Sequence, residues 1–305
     1  MIEALKMAAR KPLNRQVLVI TGASAGLGLS TALRAAERGA RVVLAARSQD
    51  SLHAVVEQIT QAGGQALAVG VDVGVREQVD GLARASIEHF GRIDAWVNGA
   101  DISIHGQLDE VDEQDGRHLF DINFWGVVNG SLAALPYLRA SGGTLVNIGG
   151  DAGSAENPDL GMDVAAKHAV TGFTTALRVQ VEEIEGAPVR VALIEPTTVA
   201  TLDAQNTRID ATGRRGLQAA AIDVRLTSEA ILDVVVDGVR GAYVVAMPRV
   251  ITPTAAQQLA SGGHLAAVPA ASAHEDRVWR TGEGSVFQPE VANGMMLSGR
   301  RAQRN

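Results

Sequence analysis

Residues 16–28 read Gln16-Val17-Leu18-Val19-Ile20-Thr21-Gly22-Ala23-Ser24-Ala25-Gly26-Leu27-Gly28. An apolar, β-branched run passes without a break into a glycine turn, and Leu29 then opens a segment of helical length that stops at Gly39. An unbroken apolar run marks a strand covered on both faces, as in a parallel sheet. Glycines at a strand-to-helix bend let the backbone turn tightly and approach a ligand. The helix N-terminus behind them offers N–H groups and positive dipole to a phosphate. The spacing Gly-x3-Gly-x-Gly differs from the commoner Gly-x-Gly-x2-Gly. Its place between the first strand and first helix of a βαβ unit is nevertheless the context in which such a turn binds a nucleotide.

The same rhythm continues outward from this turn. Further strands are predicted at 41–46 (RVVLAA), 66–71 (ALAVGV), 93–97, 144–148, 189–194 and 243–246. Helical patterns lie between them at 29–38, 52–61, 77–90, 112–139, 163–185 and 228–239. In the fifth of these, Ala166, Val170, Phe173, Leu177, Val181 and Ile184 recur at spacings of three and four and draw one apolar stripe. Strict β-α-β alternation with right-handed crossovers predicts an α/β fold: a doubly wound, seven-stranded parallel Rossmann-like sheet with helices on both faces. Residues 1–250 are expected to form this single dinucleotide-binding domain. The polar, aperiodic stretch 197–226 is expected to be its lid or specificity loop. Residues 251–305 read as a partly irregular C-terminal extension.

Composition narrows the function. The 305 residues carry 27 Lys and Arg against 34 Asp and Glu, a net charge of −7. That balance argues against broad nucleic-acid or anionic-membrane binding, both of which want a basic surface. No run approaches the roughly 18 apolar residues of a membrane span, and the first residues lack the apolar core of a signal peptide. A cytoplasmic protein acting on a small molecule is the expectation. The chain has no cysteine, which removes disulfides, thiolate metal sites and cysteine nucleophiles, and its seven histidines show no metal spacing. Only two tyrosines occur, Tyr137 and Tyr243.

Several motifs, in order, resemble the short-chain dehydrogenase/reductase family over about residues 13–250. Thr21-Gly22-x3-Gly26-x-Gly28, with Ser24 and Leu27 inside it, is similar to that family's cofactor turn. Asp72 and Val73 stand where its adenine-contacting Asp falls. Asn98, followed by Gly99, matches the first Asn of its Asn-Asn-Ala-Gly motif, and Asn123 its structural and proton-relay Asn. Pro196, Val199 and Thr201 resemble the segment that holds the nicotinamide carboxamide. The resemblance implies a dinucleotide bound across the strand C-termini. It also implies a homodimer or homotetramer built through the helices at 112–139 and 163–185. The second strand ends in Ala46, Arg47 and Ser48 rather than in an acid. A carboxylate there would bond the ribose 2′-hydroxyl of NAD, whereas Arg47 suits the 2′-phosphate of NADP, so NADP(H) is favoured over NAD(H).

The catalytic half departs from the resemblance. The family's reaction uses a Tyr as proton donor, a Lys four residues later that lowers the Tyr pKa and holds the ribose, and a Ser thirteen residues before the Tyr that orients the substrate. Lys167 is present, but Asp163 stands at the Tyr position and Gly150 at the Ser position. Gly99 and Asp101 replace the second Asn and the Gly of the Asn-Asn-Ala-Gly motif, and Thr197 follows Pro196 where a Gly is usual. Tyr137 and Tyr243 read as core or edge residues. Asp titrates near pH 4, and beside Lys167 its charged form is expected to be favoured further, so Asp163 is expected to accept a proton rather than donate one. An intrahelical Asp163–Lys167 ion pair is the plainer expectation. His105, in the loop after the fourth strand, is an alternative proton donor. The readings that stay open are an oxidoreductase with a remodelled site; a non-redox isomerase, cyclase or lyase with Asp163 as base; and a cofactor-binding subunit without catalysis.

Overall fold

The computed structural model describes residues 11–150, 158–196, 198–199, 221–222 and 224–237. Six strands alternate with helices: β1 (Val17–Thr21), α1 (Gly26–Glu37), β2 (Arg41–Ala46), α2 (Gln49–Gln61), β3 (Gln65–Gly70), α3 (Arg76–Phe90) and β4 (Ala95–Asn98). Then come α4 (Glu113–Phe120), α5 (Gly126–Ser141), β5 (Gly143–Ile148), α6 (Gly161–Arg178) and β6 (Val189–Ile194). Two short strands, β7 (Thr198–Val199) and β8 (Ala221–Ile222), precede α7 (Val224–Asp237). The sheet is parallel throughout, in the order β3-β2-β1-β4-β5-β6. Strand order reverses between β1 and β4, and in such sheets ligands bind beyond the strand C-termini at that switch point.

The core explains why the strand runs are unbroken rather than alternating. Successive residues of one strand feed opposite layers. Leu18, Ile20, Val42 and Leu44 pack with α1, α2 and α7, whereas Val17, Val19 and Val43 pack with α3, α5 and α6. All five residues of β1 are buried. The fold is the doubly wound, two-sided sheet that the sequence predicts, with six strands among the described residues. The seventh, at 243–246, lies outside them.

Element ends differ from the periodicity in an instructive way. α1 begins at Gly26 and α2 at Gln49, each three residues before the start that the sequence pattern predicts, at Leu29 and Leu52. First turns are set by caps rather than by the core face, and Ser48 caps α2 by accepting the Ser51 N–H at 3.4 Å. The single helix predicted at 112–139 is interrupted at Asp121–Trp125 by a wide, π-helical turn. The helix predicted at 163–185 starts at Gly161 and likewise widens, at Val179–Ile184. A π-turn inserts one residue without breaking the apolar stripe grossly, so periodicity does not register it; such turns concentrate at functional sites. Within the aperiodic stretch 197–226, Thr198 pairs with Ile222 and Val199 with Ala221 in an antiparallel ribbon.

Candidate active site

The glycine turn sits at the reversal point of the sheet. Gly22 has φ +69°, and a Cβ there would lie 2.5 Å from the Gly99 carbonyl oxygen. A Cβ on Gly28 would collide with the Gly22 carbonyl, and one on Gly99 would lie 2.9 Å from the Thr21 carbonyl. The ends of β1 and β4 therefore touch backbone to backbone, which glycine alone permits. Thr21 Oγ1 reinforces the junction by accepting the Gly99 and Ala100 N–H groups at 3.1 and 3.3 Å. Gly26 is the opposite case: φ is +55°, and nothing lies within 4 Å of where its side chain would be. α1 starts at this open point. Its N-cap, Ala25, has no side-chain acceptor, and no acidic residue stands in the first turn. Leading amides and positive dipole end face open space, an arrangement that fits a phosphate-bearing ligand. Ser24 and Leu27 border it, each half-buried.

Around this cradle the other cofactor-side candidates fall into place. β2 ends at Ala46, with Arg47 and Ser48 exposed just beyond and Ser48 capping α2. Asp72 is half-buried; its Oδ1 accepts the Gly74 N–H at 2.9 Å and shapes the turn into α3. Val73 is buried, and its carbonyl accepts the Asn129 Nδ2 at 3.0 Å. Asn98 is 3% exposed and spends its amide inside the fold. Oδ1 accepts the Trp96 indole N–H at 2.8 Å, while Nδ2 donates to Asn147 Oδ1 at 2.8 Å and to Val127 O at 3.3 Å. Pro196 is buried just past β6, Val199 lies in β7, and Thr201 lies outside the described residues.

The catalytic candidates Asn123, Asp163 and Lys167 meet above the ends of β4 and β5. The π-turn carries Asn123, whose Oδ1 accepts the Ile102 N–H at 2.9 Å and whose Nδ2 donates to Ile102 O at 2.7 Å and to Asp163 Oδ1 at 3.0 Å. Ser103 Oγ donates to Asp163 Oδ2 at 3.3 Å. Lys167 has a side chain only 13% exposed, and its ammonium lies 2.7 Å from Asp101 Oδ1. The expected Asp163–Lys167 pair is thus replaced by a pair with the loop after β4. The reason is the competing carboxylate of Asp101 within reach.

The direction expected for the pKa of Asp163 is also corrected. Burial, and then the Asp101 carboxylate, raise its pKa above the ordinary 3.8. These outweigh the opposing effects of Lys167, Ser103 and Asn123. Such a carboxyl keeps its proton to higher pH than an ordinary aspartate does.

Gly150 follows β5, and a Cβ on it would stand 2.8 Å from both Cβ and Cγ of Lys167. The lysine stem occupies the space a serine would need. His105 is exposed, and among the described residues no hydrogen bond links it to Asp163, Asn123 or Lys167. Tyr137 packs against the α3/α5 core layer, and Tyr243 lies outside the described residues. Sequence reasoning passed over Ser103 entirely and saw in Asp101 only a departure from a motif. The available signal was their spacing, two positions apart with Ile102 between them. Among the described residues, no group of three or more acids and histidines could hold a metal ion.

Comparison with known proteins agrees with this geometry. The sequence profile of the short chain dehydrogenases matches residues 16–212. The chain belongs to the short-chain dehydrogenase family. It is 42% identical over 193 residues to the uncharacterized oxidoreductase YxnA of Bacillus subtilis strain 168, covering 63% of this chain and 54% of that one. It is 35% identical over 221 residues to 11-beta-hydroxysteroid dehydrogenase A of Sesamum indicum, covering 72% and 62%. The chain thus spans a little over half the length of these curated relatives. A solved metagenomic short-chain oxidoreductase in complex with NADP superposes with a TM-score of 0.63 at 26% identity, covering 75% of this chain and 96% of that one.

Proposed function

We propose that the protein is an NADP(H)-dependent oxidoreductase that interconverts a carbonyl and an alcohol on a small organic substrate, with Asp163 handling the proton. The observation that carries this reading is a half-buried carboxyl of raised pKa, clamped by Asn123 and Ser103, at the position of the family's acid. Arg47 beyond β2, with no acid at that strand end, supports the 2′-phosphorylated cofactor, as does the NADP-bound relative. Gly22, Gly26 and Gly28 would receive the diphosphate, and Arg47 with Ser48 the 2′-phosphate. The nicotinamide, when bound, supplies or accepts the hydride.

The chain's own residues do the rest. In reduction, protonated Asp163 gives its proton to the carbonyl oxygen as the carbon becomes an alcohol carbon, and solvent restores it. Asn123 and Ser103 fix the two carboxyl oxygens. Asp101 pairs with Lys167, and the pull of the ammonium on the Asp163 proton is outweighed by burial and by Asp101 itself. Gly150 contributes no hydroxyl, and among the described residues Ser103 is the hydroxyl bonded to the acid.

The test is a fluorescence titration with NADPH and NADH, followed by NADPH consumption against a panel of aldehydes and ketones. NADPH should bind more tightly. Arg47→Asp should cost it about 10- to 100-fold, the loss of one charge-assisted contact, while sparing NADH. Asp163→Asn should lower kcat by about 10²- to 10⁴-fold. Binding of neither dinucleotide would end the proposal. One observation favours a second reading: with Lys167 neutralised and no hydroxyl at 150, Asp163 is also suited to act as the base of an isomerase, cyclase or lyase. Substrate turnover with no change in NADPH absorbance would select it.

A cytoplasmic homodimer or homotetramer is part of the proposal. Trp125 and Leu132, 51% and 40% exposed and two helical turns apart, supply apolar surface for assembly, and light scattering of the purified protein tests it. No helix among the described residues is long and apolar enough to cross a membrane.

A further inference from the structure

Asp163 and Lys167 stand one turn apart on α6, on the same face, where an Asp–Lys pair is the default outcome. The structure shows another. The Lys167 ammonium is held by Asp101 at 2.7 Å, and both oxygens of Asp163 are held by neutral donors, Asn123 at 3.0 Å and Ser103 at 3.3 Å. Three consecutive residues of the loop after β4 meet three different partners. Asp101 takes Lys167, Ile102 is clamped through both its N–H and its carbonyl by Asn123, and Ser103 reaches Asp163. The clamp on Ile102 fixes the loop. Asp101 and Ser103, on either side of it, both reach side chains of α6. On the far side of the lysine, Gly150 leaves room for the stem of Lys167 to lie against the end of β5.

We propose that Asp101 is a positioning residue of this site: it holds the Lys167 ammonium away from Asp163 and thereby sets the charge state of Asp163. Its meaning for catalysis rests on Asp163 as the proton carrier proposed above. The charged groups acting on Asp163 are Asp101 from the loop after β4 and Lys167 from its own helix; Ser103 and, from the π-turn, Asn123 are neutral. Removing the Asp101 charge acts twice in one direction. A negative neighbour disappears, and a cation only 13% exposed loses its partner and turns to the carboxylate one turn back. Asp163 then ionises more readily and gives up its proton at lower pH. Asp101 does this through Lys167 and through its own field, without touching the reacting atoms.

The experiment is a pH titration of the Asp163 carboxyl by carbon-13 NMR in the ligand-free, full-length protein, with the resonance assigned by its absence in Asp163→Asn. Wild type, Asp101→Asn and Asp101→Glu are compared; Asp101 is 41% exposed, so neither change creates a buried defect. The midpoint should move to lower pH in Asp101→Asn and stay near wild type in Asp101→Glu. A midpoint unchanged or raised in Asp101→Asn overturns the assignment. In the active enzyme, the fall of reductive kcat/KM with rising pH should move to lower pH in Asp101→Asn and return in Asp101→Glu. A midpoint that falls in a protein with no dinucleotide-dependent turnover would sustain the role of Asp101 while refuting the oxidoreductase. Turnover with an unmoved midpoint would do the reverse.

Discussion

Replacing Gly150 tests the packing on which the remodelled site depends. The first side-chain carbon of any residue placed there would lie 2.8 Å from both Cβ and Cγ of Lys167. Carbon pairs rest at about 3.5–4.0 Å, so about 0.7 Å must be recovered at two contacts at once. The far end of a lysine could swing aside, but its Cβ is fixed to the backbone of α6. That helix is in turn anchored by Ala166 and Val170, both 0% exposed. The strain therefore falls on the backbone after β5 or on α6 itself, and overpacking of this kind costs about 1–3 kcal/mol. For a domain of this size that is a Tm lower by about 2–12 °C. Gly150→Ala and Gly150→Ser should lose nearly the same amount, because the shared Cβ makes the collision. Gly172 is the internal control: it lies inside the same helix with nothing within 4 Å of a Cβ, so Gly172→Ala should gain up to about 1 kcal/mol. Thermal melts by circular dichroism at one pH read all three. If Gly150→Ala melts at or above wild type, the lysine stem does not lie where the structure puts it. The account of the redirected ammonium would fall with it. The same collision means that Gly150→Ser added to Asp163→Tyr restores the family's residues without restoring their geometry.

Two further perturbations follow from individual contacts. Asn98→Ala removes the acceptor of the Trp96 indole N–H and the donor to Asn147 Oδ1 inside the core. Asn147 Oδ1 keeps the Ser131 hydroxyl as a donor at 3.4 Å, so the indole is the group left orphaned, at a cost of about 1–3 kcal/mol; chemical denaturation should show a loss of at least about 1 kcal/mol, and a loss below about 0.5 kcal/mol would contradict the network. Asp163 has a folded-state pKa above the ordinary 3.8, so the folded state holds its proton more tightly than the unfolded state does. Its contribution to stability is full below pH 3.8 and is lost as pH rises through the folded value. Asp163→Asn, which cannot ionise, should therefore gain stability relative to wild type as pH increases from 4 to 8, and a difference independent of pH would refute the raised pKa.

The parallel sheet and its turn were legible because their causes are local. Val17–Thr21 and Arg41–Ala46 are apolar at every position because both faces are covered. Gly22 and Gly28 stand in the sequence where a Cβ would strike the backbone of a neighbouring turn. The interruptions at Asp121–Trp125 and Val179–Ile184 were not legible, since one extra residue in a turn leaves the apolar stripe nearly intact.

At the site, chain position named Asn123, Gly150, Asp163 and Lys167 but misjudged the charges. Two residues four apart on a helix look like a pair, and nothing on that helix shows a third charge arriving from a different loop. Sequence alone determined the sheet, the place of the glycine turn and the absence of a tyrosine and a serine from positions 163 and 150, because hydrophobic period and glycine sterics act over a few residues. Only the tertiary structure decided what the aspartate in the tyrosine's place can do. Burial and the approach of Asp101 to Lys167 depend on segments more than sixty residues apart in the chain, and in a partly buried cleft those two effects outweigh the neighbour one helical turn away.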